Sequence, residues 1–492
     1  MTNNCWVLTK DLILSYKLRK KADIRDTFIL AILSLLSGFL SIGSITTTDT
    51  AEKLNLSNGF TVGNLFVEFN TIPKLYVAIP LFAVFFIFLI AFFVCRLKET
   101  NIKPNKWMVS IGILLLIARI VGVFFFSPKG NFTYISPLDN STVSLTYDGL
   151  SMQGKILEII SEFLFGSFFI LIFTYIKTLS NYTLPIFKLA LYTPIIVALV
   201  ALIYSLIKEY NSWINNLLYL LKKVEEIDNI QSLTTHKNMF GFFLFLGTLS
   251  SLIFFYKHHN IIFYILSGIF LVGTVIILSK TSILLTFIVF FIVTIMYFSS
   301  YRKEHKINSI ICLIVFILSI VVLVFAVYVF FKGGFLEKFK NHNTLSMRFD
   351  HVNIAAAMFK DQSILLYIFG YGKTPFTVLY ERFETAINYE VLWTSHNSYM
   401  ETLAHFGIIG LLTIILCDGY VLHQINYLVI KKKIKECAIY YPIFAILCAY
   451  SIFEPRMLFL LSSGTEVFLF YFILLFPVLL DSGHAKTNEV LI

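Results

Sequence analysis

Charged residues are scarce: Asp, Glu, Lys and Arg together make 14% of the 492 residues, against about a quarter in a soluble domain. A chain so poor in charge cannot coat a water-exposed surface of this size. Its 58% hydrophobic content and mean hydropathy of +0.80 place it in lipid. Cysteine is also sparse, with six residues and no Cys-x-x-Cys or Cys/His spacing, so no zinc site is expected. On the span assignment below, Cys5, Cys95, Cys312, Cys417 and Cys437 fall at or near the cytoplasmic side and Cys448 within a span, so disulfides are not expected. There is no internal repeat, no low-complexity tract and no Gly-rich phosphate loop. Neither ATP, a metal nor any other cofactor is expected.

What is present is a series of apolar runs separated by short basic clusters. The formal charge of +10 does not imply nucleic acid, because the basic residues do not form one soluble face and instead mark topology. At roughly 18 to 24 residues per crossing, spans are expected near 27–45, 74–95, 107–126, 155–176, 186–206, 238–256, 261–278, 282–299, 308–331, 399–422, 436–453 and 458–480. The expected fold is therefore an all-α membrane protein of about twelve transmembrane helices, with residues 1–492 as a single polytopic domain. Lys17, Arg19, Lys20, Lys21 and Arg25 precede the first apolar run, which lacks a small-residue cleavage site and reads as a retained span. The short loops with Arg96, Lys98, Lys103 and Lys106, with Arg302, Lys303 and Lys306, and with Lys431, Lys432, Lys433 and Lys435 are expected to be cytoplasmic, as are both termini.

Two outer segments exceed simple connections. Residues 211–227 place Trp213, Leu217, Leu220, Leu221 and Val224 on one helical stripe, the pattern of a helix lying in the interface, whether as a plain loop helix or as a guide for lipid. Residues 332–398 form a loop between spans 9 and 10 far longer than most connections, and loops of that size carry function.

Ionisable residues inside spans cost about 2.5 to 3.5 kcal/mol each on insertion scales. Arg119, Glu158 and Glu162 lie near the outer ends of their spans, with an Arg119 to Glu162 pairing expected; Glu401, Glu454, Arg456 and Glu466 share that level. Any one of them fits a helix–helix salt bridge, but together they imply a polar cavity open to the outer leaflet.

The most specific string is Ser395-His396-Asn397-Ser398-Tyr399-Met400-Glu401, followed by Gly407 and Gly410. It resembles the H-N-x-[YF] segment with trailing G-x-x-G of the O-antigen ligase and polysaccharide polymerase superfamily. Ser346-Met347-Arg348-Phe349-Asp350 and Phe369-Gly370-Tyr371-Gly372-Lys373 resemble that family's loop, His236-Lys237-Asn238-Met239-Phe240-Gly241 its entry to a mid-chain span, and Leu278-Ser279-Lys280-Thr281 its Ser-Arg turn, with Lys280 in the arginine's place. A lysine offers a point charge where arginine would offer a bidentate fork.

The resemblance implies a glycosyltransferase C-type bundle in the bacterial inner (cytoplasmic) membrane. It implies transfer of a glycan from undecaprenyl diphosphate to an acceptor on the periplasmic face, with no nucleotide sugar, metal or other cofactor. Partners would be the undecaprenyl diphosphate-linked donor, a lipid-linked or lipid A core acceptor, membrane lipids and chain-length regulator proteins. In such a reaction negative charge develops on the diphosphate leaving group, and fixed cations stabilise it; Arg348 and Lys280 are the candidates. The acceptor hydroxyl must lose a proton, and His396 is placed to take it. Arg119, Asn397, Tyr399, Glu401 and Arg456 are expected around the substrate, and Trp393, Tyr371 and Tyr389 could stack on sugar faces. The bland alternatives are a capping role for His396, a snorkelling Lys280, a loop cation at Arg348 and a packing role for His405. Polymerase and ligase share these motifs; the polymerase is preferred because the match is loose and the Ser-Arg turn is altered. A lipid-linked oligosaccharide flippase is the rival of another class, but such transporters show paired repeats and broken midplane helices, and no repeat is present here.

Overall fold

The computed structural model describes residues 192–221, 237–332, 364–370 and 397–453, two strands between 130 and 147, and isolated positions in 106–121, 228–232 and 477–482. The expected spans 27–45, 74–95, 155–176 and 458–480 lie wholly or mostly outside the described residues. Helical positions between 106 and 121 fall within the expected third span. The all-helical expectation needs one correction. Strands β1 (Gly130–Ile135) and β2 (Thr142–Tyr147) pair antiparallel from Gly130↔Tyr147 to Ile135↔Thr142. Their runs GNFTYI and TVSLTY are rich in Thr and aromatic residues.

The remaining elements are helices: α1 (Thr193–Lys208), α2 (Tyr210–Leu220), α3 (Lys237–His258), α4 (Ile261–Ile277), α5 (Lys280–Tyr301), α6 (Lys306–Lys332), α7 (Ile364–Phe369), α8 (Ser398–Asn426) and α9 (Tyr440–Phe453). A π-helical turn, Tyr427–Lys431, extends α8, and a 3-10 turn, Lys435–Ile439, leads into α9. Among the described residues, Phe240–His258, Lys280–Tyr301 and Phe406–Lys431 are each long and apolar enough to cross a membrane; Ile261–Ile277 and Lys306–Val321 are shorter apolar helices. The chain is an integral membrane protein by this measure.

Short turns force the helices to alternate in direction. His259 takes a left-handed φ of 53° and Asn260 caps α4 by accepting the N–H of Ile262 at 3.1 Å. At one end of the bundle gather Arg302, Lys303, Lys306 and Lys431 to Lys433. That basic end is cross-linked: Lys257 Nζ donates to Asp481 at 2.6 Å, Tyr440 donates to the same carboxylate at 2.7 Å, and the rings of His259 and His305 stack at 4.2 Å. The opposite end carries α2, the Leu278-Ser279 turn and the end of α6 at Lys332, from which the long 332–398 segment leaves.

Lipid supplies little hydrophobic drive between helices, so packing is set by small residues and interlocked rings. A Cβ on Gly247 would lie 2.5 Å from that of Ala198 and 2.9 Å from Phe270, which brings α1 and α4 close against α3. Aromatic rows fill the interior, including Phe255 on Tyr264 at 4.8 Å and Tyr264 on Phe290 at 4.7 Å. Helix α2 leaves α1 at 91° and so lies across the end of the bundle. The expected apolar stripe is divided: Trp213 and Leu220 are buried, whereas Leu217 and Leu221 are exposed. Val224 lies outside the described residues.

Candidate functional site

Two of the motif segments meet at the loop-bearing end. Leu278 adopts φ 61°, an uncommon conformation for a bulky residue, and this allows a two-residue link between α4 and α5. It aims Ser279 at α3, where Ser279 Oγ lies 3.4 Å from Asn238 Oδ1 and 3.1 Å from Ser282 Oγ. Gly241 permits the approach, since a Cβ there would stand 2.5 Å from both Ser279 Cβ and Oγ. The serine turn and the Asn238-to-Gly241 segment thus form one unit. Lys280 begins α5 immediately beyond it and is exposed, beside the partial positive charge of a helix N-terminus.

The second meeting is at α8. Asn397 is its N-cap, extended at φ −144° and ψ 113°, with Oδ1 accepting the N–H of Met400 at 3.0 Å. The helix then breaks at Gly407, whose φ of 62° and ψ of −160° are open only to glycine. A Cβ at Gly407 would overlap the carbonyl of Ile368 and sit 2.7 Å from Phe369 N. Helix α7 ends at Phe369 with Gly370 at φ 70°, whose N–H donates to Leu366 O at 2.6 Å. The glycine turn of the long segment therefore packs backbone to backbone on the first trailing glycine.

The break turns the first limb of α8 back along the bundle. Tyr399 hydrogen-bonds with Cys448 and Ser451 of α9, and Asp418 is close enough to act electrostatically on both Tyr399 and Cys448. In an unbroken helix the nineteen positions from Tyr399 to Asp418 would span about 28 Å. The limb 398–406 is thus a separate inserted element with Ser398 and Thr402 fully buried, and the crossing segment is Phe406–Lys431. The expected start of span 10 at 399 is corrected accordingly: Leu403, Ala404 and Phe406 continue the apolar run across the break, so hydropathy does not register it. The two meetings are linked through Tyr450, which neighbours Ser451 in sequence and packs on Phe242 at 5.0 Å and Phe245 at 4.8 Å.

Of the residues singled out from sequence, Lys280 begins α5 at the loop-bearing end, whereas Asn397 and Tyr399 open the inserted limb, with Tyr399 against Cys448 and Ser451 of α9. The backbone of Glu401 is helical within the inserted limb. His396, Arg348, Arg119 and Arg456 lie outside the described residues, as do Glu158, Glu162, Glu454, Glu466, Tyr371, Tyr389 and Trp393. Sequence reasoning missed Asp418. A span over 399–422 puts it near the cytoplasmic boundary, where an acid attracts no notice, whereas Phe406–Lys431 puts it mid-helix. Counting the span from the glycine break would have exposed it. Among the described residues no group of three or more His, Cys, Asp or Glu could hold a metal.

Residues 265–415 match the family model described as O-antigen ligase. That stretch is under a third of the chain and contains the Ser279-Lys280 turn, Arg348, Gly370, His396, Asn397 and Gly407. Over it the chain is similar to a family of membrane-embedded, glycosyltransferase-like enzymes, and the resemblance read from the motifs to the O-antigen ligase and polymerase superfamily is borne out. No match was found among curated proteins or among solved structures.

Proposed function

We propose that the chain is a surface-polysaccharide polymerase that joins undecaprenyl diphosphate-linked repeat units on the periplasmic face of the bacterial inner membrane. The observation that supports this reading is that the Ser279-Lys280 turn, docked on Asn238, and the Asn397-capped limb, whose Gly407 break packs on the end of α7, both fall in the stretch that matches the family. The basic end becomes cytoplasmic by the positive-inside bias, which puts Lys280 and the 332–398 loop on the outer side. In this reading the bundle has about twelve spans and a glycosyltransferase C-type architecture, with both termini cytoplasmic and the 332–398 loop carrying part of the active site.

Arg348 and Lys280 hold the donor diphosphate and stabilise the charge it gains as its bond to the anomeric carbon breaks. His396 takes the proton of the attacking hydroxyl. Asn397, next to His396 in sequence, caps the inserted limb. Tyr399, Glu401, Arg119 and Arg456 surround the sugars and diphosphate. Membrane lipids and chain-length regulators are its partners, and it needs no cofactor. Replacement of His396 or Arg348 by Ala in an inserted, folded protein should lower transfer by about a hundred- to a thousandfold; full activity in both variants would remove these roles.

A second reading is favoured by the description of the matching family: a ligase that moves the finished glycan to lipid A core. Supplying the purified protein with lipid-linked repeat units, with and without lipid A core, separates the two. A ladder without core marks the polymerase; transfer only with core marks the ligase. Neither product would return the flippase reading.

A further inference from the structure

Helix α2 has two apolar faces, and only one of them is used by the bundle. Its inner face steps along the top of α4: a Cβ on Gly273 would lie 3.9 Å from the Trp213 ring, the Asn216 amide donates to Ile276 O at 3.2 Å, and Leu220 packs with Leu278 and Ile283. The helix therefore ends against the Leu278-Ser279 turn that presents Lys280. Its outer face is a second stripe at helical spacing, Tyr210, Ile214, Leu217 and Leu221, exposed at 60%, 38%, 47% and 47%. The helix is about 16 Å long and lies at 91° to α1.

We infer that this outer stripe is the docking surface for the polyprenyl chain of the donor, laid along α2 with its diphosphate at Lys280. The inference rests on the proposed donor being a polyprenyl diphosphate. The argument for that occupant over bulk lipid is its polarity. An apolar track that runs into an exposed cation at a helix N-terminus matches a molecule with a long apolar tail and an anionic head. The exposed stripe of α6, with Ile310, Ile314 and Ile317, lies along the apolar segment Lys306–Val321 and contains no cation. It serves as the internal reference.

The test uses the full-length protein in nanodiscs with a photo-crosslinking residue at position 217 or 314, and labelled undecaprenyl diphosphate, undecaprenol or phosphatidylglycerol as probes. The expected result is severalfold more capture of undecaprenyl diphosphate at 217 than at 314. The excess should vanish with undecaprenol or phosphatidylglycerol, be lost in Lys280→Ala and return in Lys280→Arg. Equal capture at the two positions, or capture at 217 indifferent to Lys280→Ala, overturns the inference. Preferential capture by a protein that makes no glycan product supports the docking surface and sinks the polymerase reading. A glycan ladder from a protein without preferential capture does the reverse.

Discussion

Replacing Gly407 by Ala tests the folded-back limb at its pivot. The backbone there, φ 62° and ψ −160°, lies in a region that costs a residue with a side chain about 1 to 3 kcal/mol. The new Cβ would also overlap the Ile368 carbonyl and approach Phe369 N at 2.7 Å. Because these are backbone atoms at the end of α7, no rotamer change relieves the contact, and displacement adds about 1 to 3 kcal/mol as in other overpacked sites. The sum is about 4 kcal/mol, enough to shift the docked arrangement of α7 and the limb by roughly three orders of magnitude. The control is on the same helix: a Cβ on Gly419 meets nothing within 4 Å, so Gly419→Ala should be neutral or stabilising by up to about 1 kcal/mol. Thermal unfolding followed by tryptophan fluorescence, beside glycan transfer, reads both. Gly407→Ala should lower the midpoint and abolish transfer while Gly419→Ala does neither; a Gly407→Ala protein as stable and active as its control would refute the break.

Three further perturbations bear on other parts of the molecule. Gly241→Ala drives a methyl into Ser279 and should cost about 1 to 3 kcal/mol and reduce transfer, whereas unaltered transfer would show that the serine turn can move freely. Asp418→Leu removes a mid-helix acid whose ionised form is costly in lipid, so the thermal midpoint should rise while transfer falls; unchanged transfer would reduce Asp418 to a structural remnant. At the basic end, burial and then the neighbouring His305 lower the His259 pKa, against opposing pulls from Glu436 and Glu304. Because the folded protein binds this proton less readily than the unfolded chain, stability is full above the ordinary histidine value and falls as pH drops below about 6.5. His259→Asn, compatible with the left-handed φ of 53°, should flatten that fall in a thermal titration; an undiminished slope would assign the pH sensitivity to other groups.

The helices were legible wherever an apolar run was bounded by polar residues. The expected 238–256, 261–278, 282–299 and 308–331 each begin and end within two residues of α3 to α6, because Lys, His and Asn mark their limits. Hydropathy could not see the fold-back at Gly407, since the run 403–412 is interrupted by His405 alone and stays apolar on average while the conformation changes. For the same reason it misplaced Asp418. In α2 the periodicity was read as one stripe, but Trp213 and Leu220 point to the bundle and Leu217 and Leu221 away from it. Periodicity reports that a face is apolar, not what covers it. The paired approaches of Gly241 to Ser279 and Gly407 to Ile368 and Phe369 join segments about 40 residues apart; the motifs named all of these but Ile368, and only the fold shows which meets which.

The most direct measurement is incubation of the purified protein with an undecaprenyl diphosphate-linked repeat unit alone, without nucleotide sugar, ATP or metal, with products resolved by size. A ladder of longer lipid-linked glycans is the predicted result. An unchanged repeat unit, both alone and after addition of lipid A core, would contradict glycan transfer by this chain.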